Sequence, residues 1–149
     1  MRVLVIDDDP SMRDLYRLLL DEDGPFTVVA SAENGRDGQR LAAELQPDLI
    51  LSDIHMPVLD GLAATPGYRS AAPHAVIVLT SSAPPQRAQA DAITAGADLY
   101  LDKGGWGVDA YIAELVEAVE SAQRRRCGSD GANSPGPNGR PGRDNSGIG

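Results

Sequence analysis

The chain has 149 residues, a formal net charge of −9, 42% hydrophobic and 23% charged residues, which suits one globular domain that buries a core without staples. One cysteine, Cys127, excludes an internal disulfide framework, and the acidic balance disfavours a nucleic-acid-binding body. No apolar run reaches the length of a membrane span. The short apolar run at the N-terminus ends in Asp7, Asp8 and Asp9 and does not fit a signal peptide, so a cytoplasmic protein is expected.

Val3-Leu4-Val5-Ile6 reads as a buried parallel strand. Asp9 followed by Pro10 reads as N-cap and first helical residue, and Met12, Leu15, Tyr16 and Leu19 share one helix face. Gly24-Pro25 ends that helix, and Phe26 to Ala30 is the second strand. Asn34 caps a second helix carrying Leu41 and Leu45, weakened by Gly35 and Gly38 and stopped by Pro47. Leu49-Ile50-Leu51 leads a third strand to Asp53. A weak third helix follows Asp60-Gly61, and Pro66-Gly67 is expected to cut it short. Ala75 to Leu79 is a fourth strand ending at Thr80. Arg87 to Ala95 is a fourth helix with Gly96 as its stop, Leu99-Tyr100-Leu101 a fifth strand, and Asp109 the cap of a last helix carrying Ile112, Leu115, Val116 and Val119. The residues from Cys127 to Gly149 include seven Gly and three Pro, with Ile148 the one strongly apolar aliphatic residue, so no core forms there and disorder is expected. The expected organisation is a folded domain over residues 1–123 and a Gly/Pro-rich tail over 124–149.

Five β-α units predict an α/β fold with a parallel, doubly wound sheet of flavodoxin-like order 2-1-3-4-5, its switch point between strands 1 and 3. Ligands in such folds sit beyond the carboxyl ends of the strands. Those ends carry Asp7, Asp8 and Asp9, then Asp53, then Thr80, Ser81 and Ser82, and finally Lys103, the only Lys beside twelve Arg. Each aspartate alone is an ordinary turn or cap residue. Together, Asp7, Asp8 and Asp53 converge at the switch point, where close carboxylates need a proton or a cation between them. A hard divalent ion such as Mg²⁺ is the natural partner, and it leaves room for a phosphoryl group. A carboxylate beside it can act as nucleophile and form an aspartyl phosphate, with a hydroxyl (Thr80) and a cation (Lys103) on the phosphoryl oxygens.

Residues Val5-Ile6-Asp7-Asp8-Asp9-Pro10-Ser11-Met12-Arg13, and Pro47-Asp48-Leu49-Ile50-Leu51-Ser52-Asp53-Ile54-His55-Met56-Pro57-Val58-Leu59-Asp60-Gly61, resemble the receiver domain of two-component response regulators. The strand-end Thr80 and the Tyr100-x-x-Lys103 segment match in order, and the likeness covers residues 1 to about 122. The resemblance implies that Asp53 accepts a phosphoryl group from a phosphohistidine of a sensor histidine kinase or a phosphotransfer protein. It implies Mg²⁺ held by Asp8, Asp53 and the backbone carbonyl of His55, with Asp7 helping through water. Thr80 would swing to the phosphoryl oxygen, Tyr100 would turn inward in step, and Lys103 would pair with the phosphoryl group. Ser81 would leave the path to the acceptor open, and the side chains of His55 and Ser82 would tune the lifetime of the phosphorylated form. One departure stands out: Gly104-Gly105 follow Lys103, where the family usually carries a cis-Pro.

The expected output is a conformational switch over strand 4, helix 4, strand 5 and helix 5 that signals to a downstream protein by contact. The protein is then a signalling domain and not an enzyme acting on other molecules. No nucleic acid and no membrane are expected as partners. An alternative is the receiver of a longer DNA-binding regulator, with the tail as linker remnant. A different class, a haloacid-dehalogenase-like phosphatase with Asp7 as nucleophile and Asp9 as general acid, would leave the Asp53-x-x-Met56-Pro57 segment without a role. His74, Trp106 and Arg124, Arg125 and Arg126 have ordinary readings: a loop residue, partial packing, and cations complementing a helix C-terminus.

Overall fold

The computed structural model describes residues 1–23, 25–81, 85–103 and 108–133. Strands and helices alternate along the chain: β1 (Arg2–Ile6), α1 (Pro10–Asp23), β2 (Thr27–Ala32), α2 (Gly35–Leu45), β3 (Leu49–Asp53), α3 (Gly61–Ala71), β4 (Val76–Ser81), α4 (Pro85–Ala95), β5 (Leu99–Asp102) and α5 (Val108–Asn133). All pairings are parallel and the order is β2-β1-β3-β4-β5. This is the expected flavodoxin-like topology. The direction of strand addition reverses at β1 and β3, which opens a crevice beyond their carboxyl ends.

Strand pleating explains how one short apolar run serves two cores. Successive side chains point to opposite faces. Val3, Val5, Leu49, Leu51, Val76, Val78 and Leu101 therefore pack with Tyr16, Leu20, Tyr111, Leu115 and Val119 on the α1/α5 side. Leu4, Ile6, Ile50, Ile77 and Leu79 pack with Ala42, Ala64, Tyr68 and Ala92 on the α2/α3/α4 side. Local chemistry sets most boundaries. Asp9 Oδ1 accepts from Ser11 N at 2.9 Å before Pro10 opens α1. Asn34 caps α2 by accepting from Asp37 N, and Asp60 caps α3 by accepting from Ala63 N. Gly96 leaves α4 at φ +112°, a conformation open to glycine.

Three expectations need correction. Helix α3 runs through Pro66 to Ala71 and is not cut short. Pro66 is exposed while Ala64, Thr65 and Tyr68 are buried beneath it, so packing of the inward face outweighs one lost backbone bond. The buried face of α2 is Gly35, Gly38 and Ala42, with Leu41 and Leu45 only half-buried. The glycines that weaken α2 in isolation let it approach the sheet and α3: a Cβ on Gly35 would fall 2.7 Å from that of Ala64. Asp109 lies inside α5, one residue after its start, and does not precede it. Helix α5 runs on to Asn133, since extending an existing helix costs little once it is nucleated. Gly24, Ser82, the Gly104-Gly105-Trp106-Gly107 loop and residues 134–149 lie outside the described residues, with the expectations placed on them. Among the described residues no helix is long and apolar enough to cross a membrane.

Candidate functional site

The site forms where β1, β3, β4 and β5 end side by side. Asp7 follows β1, and its amide donates to Ala32 O at 3.0 Å, which ties it to the end of β2. Asp53 is the last residue of β3 and pairs across the ladder with Thr80 of β4. Lys103 follows β5, its amide donating to Ser81 O at 2.9 Å. Parity in each strand sends Asp7, Asp53, Thr80 and Lys103 to the α1/α5 side, the face of Val5, Leu51, Val78 and Leu101.

Asp7, Asp8 and Asp53 each offer one carboxylate oxygen, all within 4.8 Å of one another. Asp7 is buried, Asp53 half-buried and Asp8 exposed. Lys103 Nζ lies 3.2 Å from Asp7 Oδ2 and 3.6 Å from Asp53 Oδ1. Asp7 Oδ1 also accepts from Asp9 N at 3.0 Å, and Asp53 Oδ1 from Ile54 N at 3.0 Å. Burial pushes the Asp53 carboxyl above its ordinary value. Asp7 and Asp8 push the same way, while Lys103 and the Ile54 N–H pull it back. Burial works against the charged form of Lys103, but Asp53 and Asp7 outweigh it and hold the ammonium above its ordinary value. One ammonium thus serves two carboxylates, with a third acid at the mouth. This all-oxygen donor set fits a small hard divalent cation.

The loop from Asp53 to α3 is held close to the site. Ile54 N donates to Thr80 O at 2.9 Å and Gly61 N to Ile54 O at 2.8 Å. A Cβ on Gly61 would overlap Asp53 O, so glycine lets the start of α3 reach the end of β3. Val58 sits in this loop at φ +69° and is largely exposed, with Leu59 N donating to Pro57 O across it at 2.7 Å. A β-branched residue is strained in that conformation. His55 is exposed beside Asp53.

The remaining expected switch residues divide between the two faces. Thr80 is 1% exposed beside Asp53. Ser81 is fully buried. Tyr100 packs on the α4 side of the sheet, half-buried, its hydroxyl 3.4 Å from Ser81 O. Burial, then Asp102, raises the Tyr100 phenol above its ordinary value.

Sequence reasoning missed three contributors. Arg13 of α1 donates from Nη1 to Asp7 O at 2.7 Å, bracing the backbone of the acidic turn. Tyr16 and Tyr111 lie beneath the cluster with their hydroxyls 2.9 Å apart. Helix periodicity marks Tyr16 as inward-facing; its partner 95 residues away leaves no local signal.

The geometry disfavours Asp7 as a phosphatase nucleophile, since its side chain is 3% exposed and held by Lys103 and Asp9 N. Comparison with known proteins points the same way. The family model for the response regulator receiver domain matches residues 3–120. A chemotaxis protein CheY of Halobacterium salinarum is 36% identical over 102 residues, covering 68% of this chain and 83% of that protein. A protein-glutamate methylesterase/protein-glutamine glutaminase of Caldanaerobacter subterraneus is 34% identical over 125 residues, 83% of this chain. The chain spans about a third of the length of that relative. The response regulator domain of Thermotoga maritima CheB superposes with a TM-score of 0.75 at 28% identity, covering 83% of this chain and 96% of that one. A LuxR-family two-component response regulator of Aurantimonas sp. SI85-9A1 superposes with a TM-score of 0.71 at 29% identity, covering 79% and 83%. The chain belongs to the response regulator receiver domain family and so to two-component phosphorelay signalling.

Proposed function

We propose that Asp53 is the residue on which this receiver domain carries its phosphoryl group. The observation that carries the reading is the convergence of Asp7, Asp8 and Lys103 on the Asp53 carboxylate at the switch point. The donor is a phosphohistidine of a sensor histidine kinase or of a phosphotransfer protein. A carboxylate oxygen of Asp53 attacks phosphorus and the P–N bond breaks. Its electron pair stays on the imidazole nitrogen, and the imidazole leaves neutral with the proton already on its other nitrogen. The product is an aspartyl phosphate. Burial makes the Asp53 carboxylate more basic than one in water, which favours attack, while Lys103 keeps it ionised.

Asp7, Asp8 and Asp53, with the carbonyl of His55, are the residues that would hold Mg²⁺. When bound it supplies positive charge against the carboxylates and the incoming phosphoryl oxygens. Lys103 exchanges one carboxylate partner for a phosphoryl oxygen, keeping that oxygen charge-paired. Thr80 donates its hydroxyl to another phosphoryl oxygen, and Tyr100 follows on the far face. The small Ser81 keeps the approach open. Signalling to a downstream protein then proceeds by contact, in the cytoplasm, without turnover of a separate substrate. The folded unit ends within α5.

The test is direct. After incubation with Mg²⁺ and a small acyl-phosphate donor, the intact mass rises by one phosphoryl group that maps to Asp53, and chelation of the metal abolishes the gain. Asp53→Asn keeps its circular dichroism spectrum and takes up none. Full labelling of that variant, or label mapped to Asp7, would overturn the assignment.

A further inference from the structure

Ser52 of β3 and Tyr68 of α3 meet on the α2/α3/α4 side of the sheet, behind the acceptor residue. Both are fully buried, and their hydroxyls are 3.0 Å apart. Ser52 Oγ also donates to Asp53 O at 3.0 Å. A serine has one O–H and a carbonyl can only accept, so the Ser52 proton is committed to Asp53 O and the Tyr68 O–H donates to Ser52 Oγ. Burial raises the Tyr68 phenol above its ordinary value; Ser52 pulls it back in part and Asp60 adds to the rise, so this donor keeps its proton. A relay of two hydroxyls therefore runs from α3 to the main chain of Asp53. Gly38 of α2 makes room for the ring, since a Cβ there would lie 2.5 Å from Ile6 Cδ1 and 3.2 Å from Tyr68 Cε1.

The Asp53–Ile54 peptide is held on both edges. Its N–H donates to Thr80 O at 2.9 Å and to Asp53 Oδ1 at 3.0 Å. In a trans peptide the carbonyl points the opposite way, here toward β1, whose ladder with β3 ends at Ile6 and Ser52, one residue short of Asp53. Ser52 Oγ gives that carbonyl a donor beyond the last rung. A Cβ on Gly61 would overlap Asp53 O, so the start of α3 closes in beside it. The orientation of this one plane sets the direction of the Ile54 N–H, and that N–H fixes Oδ1 of the acceptor carboxylate. Aliphatic residues at 52 and 68 would fill the same space and bring no polar group to satisfy. The two hydroxyls instead satisfy each other in series and end on Asp53 O.

We propose that Ser52 and Tyr68 are positioning residues for phosphoryl transfer: from the far face of the sheet they hold the Asp53–Ile54 peptide so that its N–H keeps the Asp53 carboxylate aimed at the incoming phosphorus. This inference rests on the reading of Asp53 as phosphoacceptor. Ser52 acts through the Asp53 carbonyl, and Tyr68 acts through Ser52. Because Tyr68 is carried by α3, the seat of that helix on the sheet and the aim of the acceptor depend on the same pair of bonds.

The test is the rate of phosphoryl uptake from a small acyl-phosphate donor at saturating Mg²⁺, followed by intact mass, beside the urea midpoint of the same full chain. Ser52→Ala deprives Asp53 O of its donor and is expected to slow uptake about fivefold, the equivalent of one net hydrogen bond. It also leaves the Tyr68 hydroxyl buried without its partner, so the urea midpoint falls. Adding Tyr68→Phe removes that orphan. The double variant is expected to regain part of the midpoint and yet to stay within about twofold of the Ser52→Ala rate. Tyr68→Phe alone keeps the Ser52 bond and is expected to slow uptake about twofold. Should Ser52→Ala fail to fold, the double variant, which orphans no hydroxyl, carries the comparison with the parent. A merely structural pair would lower the midpoint and leave the rate of the folded protein at the parent value, and that result in either single variant overturns the relay. Recovery of the rate together with stability in the double variant also overturns it. Failure of the parent to take up a phosphoryl group, or label on a residue other than Asp53, removes the phosphoacceptor reading and the relay with it.

Discussion

Lys103→Met probes the electrostatics of the site most directly, because it deletes the shared cation and keeps most of the stem. The ammonium sits 3.2 Å from Asp7 and 3.6 Å from Asp53, and the three side chains are 16%, 3% and 12% exposed. In an effective dielectric of about 20 each attraction is roughly 5 kcal/mol, a gross figure largely offset by the cost of desolvating the three groups. Breaking a buried pair from one side costs about 3–5 kcal/mol. Proton uptake sets a ceiling. A carboxyl with the ordinary value of 3.8 can be protonated at pH 7 for about 4 kcal/mol, and for less at Asp53, whose value is already raised. The variant is therefore expected to lose about 2–4 kcal/mol of stability at pH 7.

The sign of the pH dependence follows from which state holds the extra proton. In the variant, native Asp53 binds a proton at a pH where the unfolded chain does not, so stability falls as pH rises and returns as pH falls. The gap to the parent should narrow by up to about 2 kcal/mol between pH 7 and about pH 5. In the parent, the raised value of Lys103 gives a contribution that is complete below 10.5 and lost as pH climbs through the folded value. Saturating Mg²⁺ should also narrow the gap, since a cation at the three carboxylates stabilises the folded form by mass action. Urea unfolding followed by circular dichroism, with chelator and with Mg²⁺ at both pH values, measures all of this. A variant as stable as the parent at pH 7 in chelator, or a loss indifferent to pH and to Mg²⁺, would refute the view that Lys103 neutralises the cluster.

Pro66→Ala restores a backbone donor in the exposed interior of α3 and removes the ring from the preceding turn; a gain of about 1–2 kcal/mol in urea unfolding is expected, and a loss would mean the ring is packed. Val58→Gly relieves the φ of +69° and should stabilise by about 1 kcal/mol despite the freer unfolded chain, with an unchanged denaturant slope. Gly61→Ala drives a methyl into Asp53 O; a loss of about 2 kcal/mol or more is expected, together with slower phosphoryl uptake as the acceptor is displaced.

Legibility in the sequence followed the range of the interactions. Asp9, Asn34, Asp60 and Gly96 act on neighbours a few positions away, and each marks a helix boundary as its chemistry suggests. The buried runs from Val3 to Ile6 and from Leu49 to Leu51 announce strands covered on both faces, and those strands bring Asp7 and Asp53 together. Pro66 misleads because its local penalty is opposed by Tyr68 and Thr65, buried against elements far along the chain. The glycines of α2 mislead in the other direction: their weak helix propensity is local, and the close approach to Ala64 that they permit is not. The hydroxyl pair under the site links positions 16 and 111, and no periodicity within α1 or α5 states that the two rings meet.

Strand parity carries one further consequence for how a change at Asp53 spreads. Thr80 faces the α1/α5 side with Asp53, whereas Tyr100 packs on the α4 side. A rotation of Thr80 therefore cannot push Tyr100 directly, since the sheet lies between them. The two are connected through the backbone at the end of β4. Ser81 O accepts from Lys103 N at 2.9 Å and from the Tyr100 hydroxyl at 3.4 Å, and Thr80 O accepts from Ile54 N at 2.9 Å. Two adjacent carbonyls thus tie the acceptor loop, the lysine and the far-face tyrosine to one short stretch of strand. The Tyr100 bond is the longest of the three, at the edge of hydrogen-bond geometry, so it is the one that the smallest shift of β4 breaks. On the proposed reading, motion of Tyr100 would follow displacement of the strand end, and the α4 face would sense the state of Asp53 through the main chain of Thr80 and Ser81.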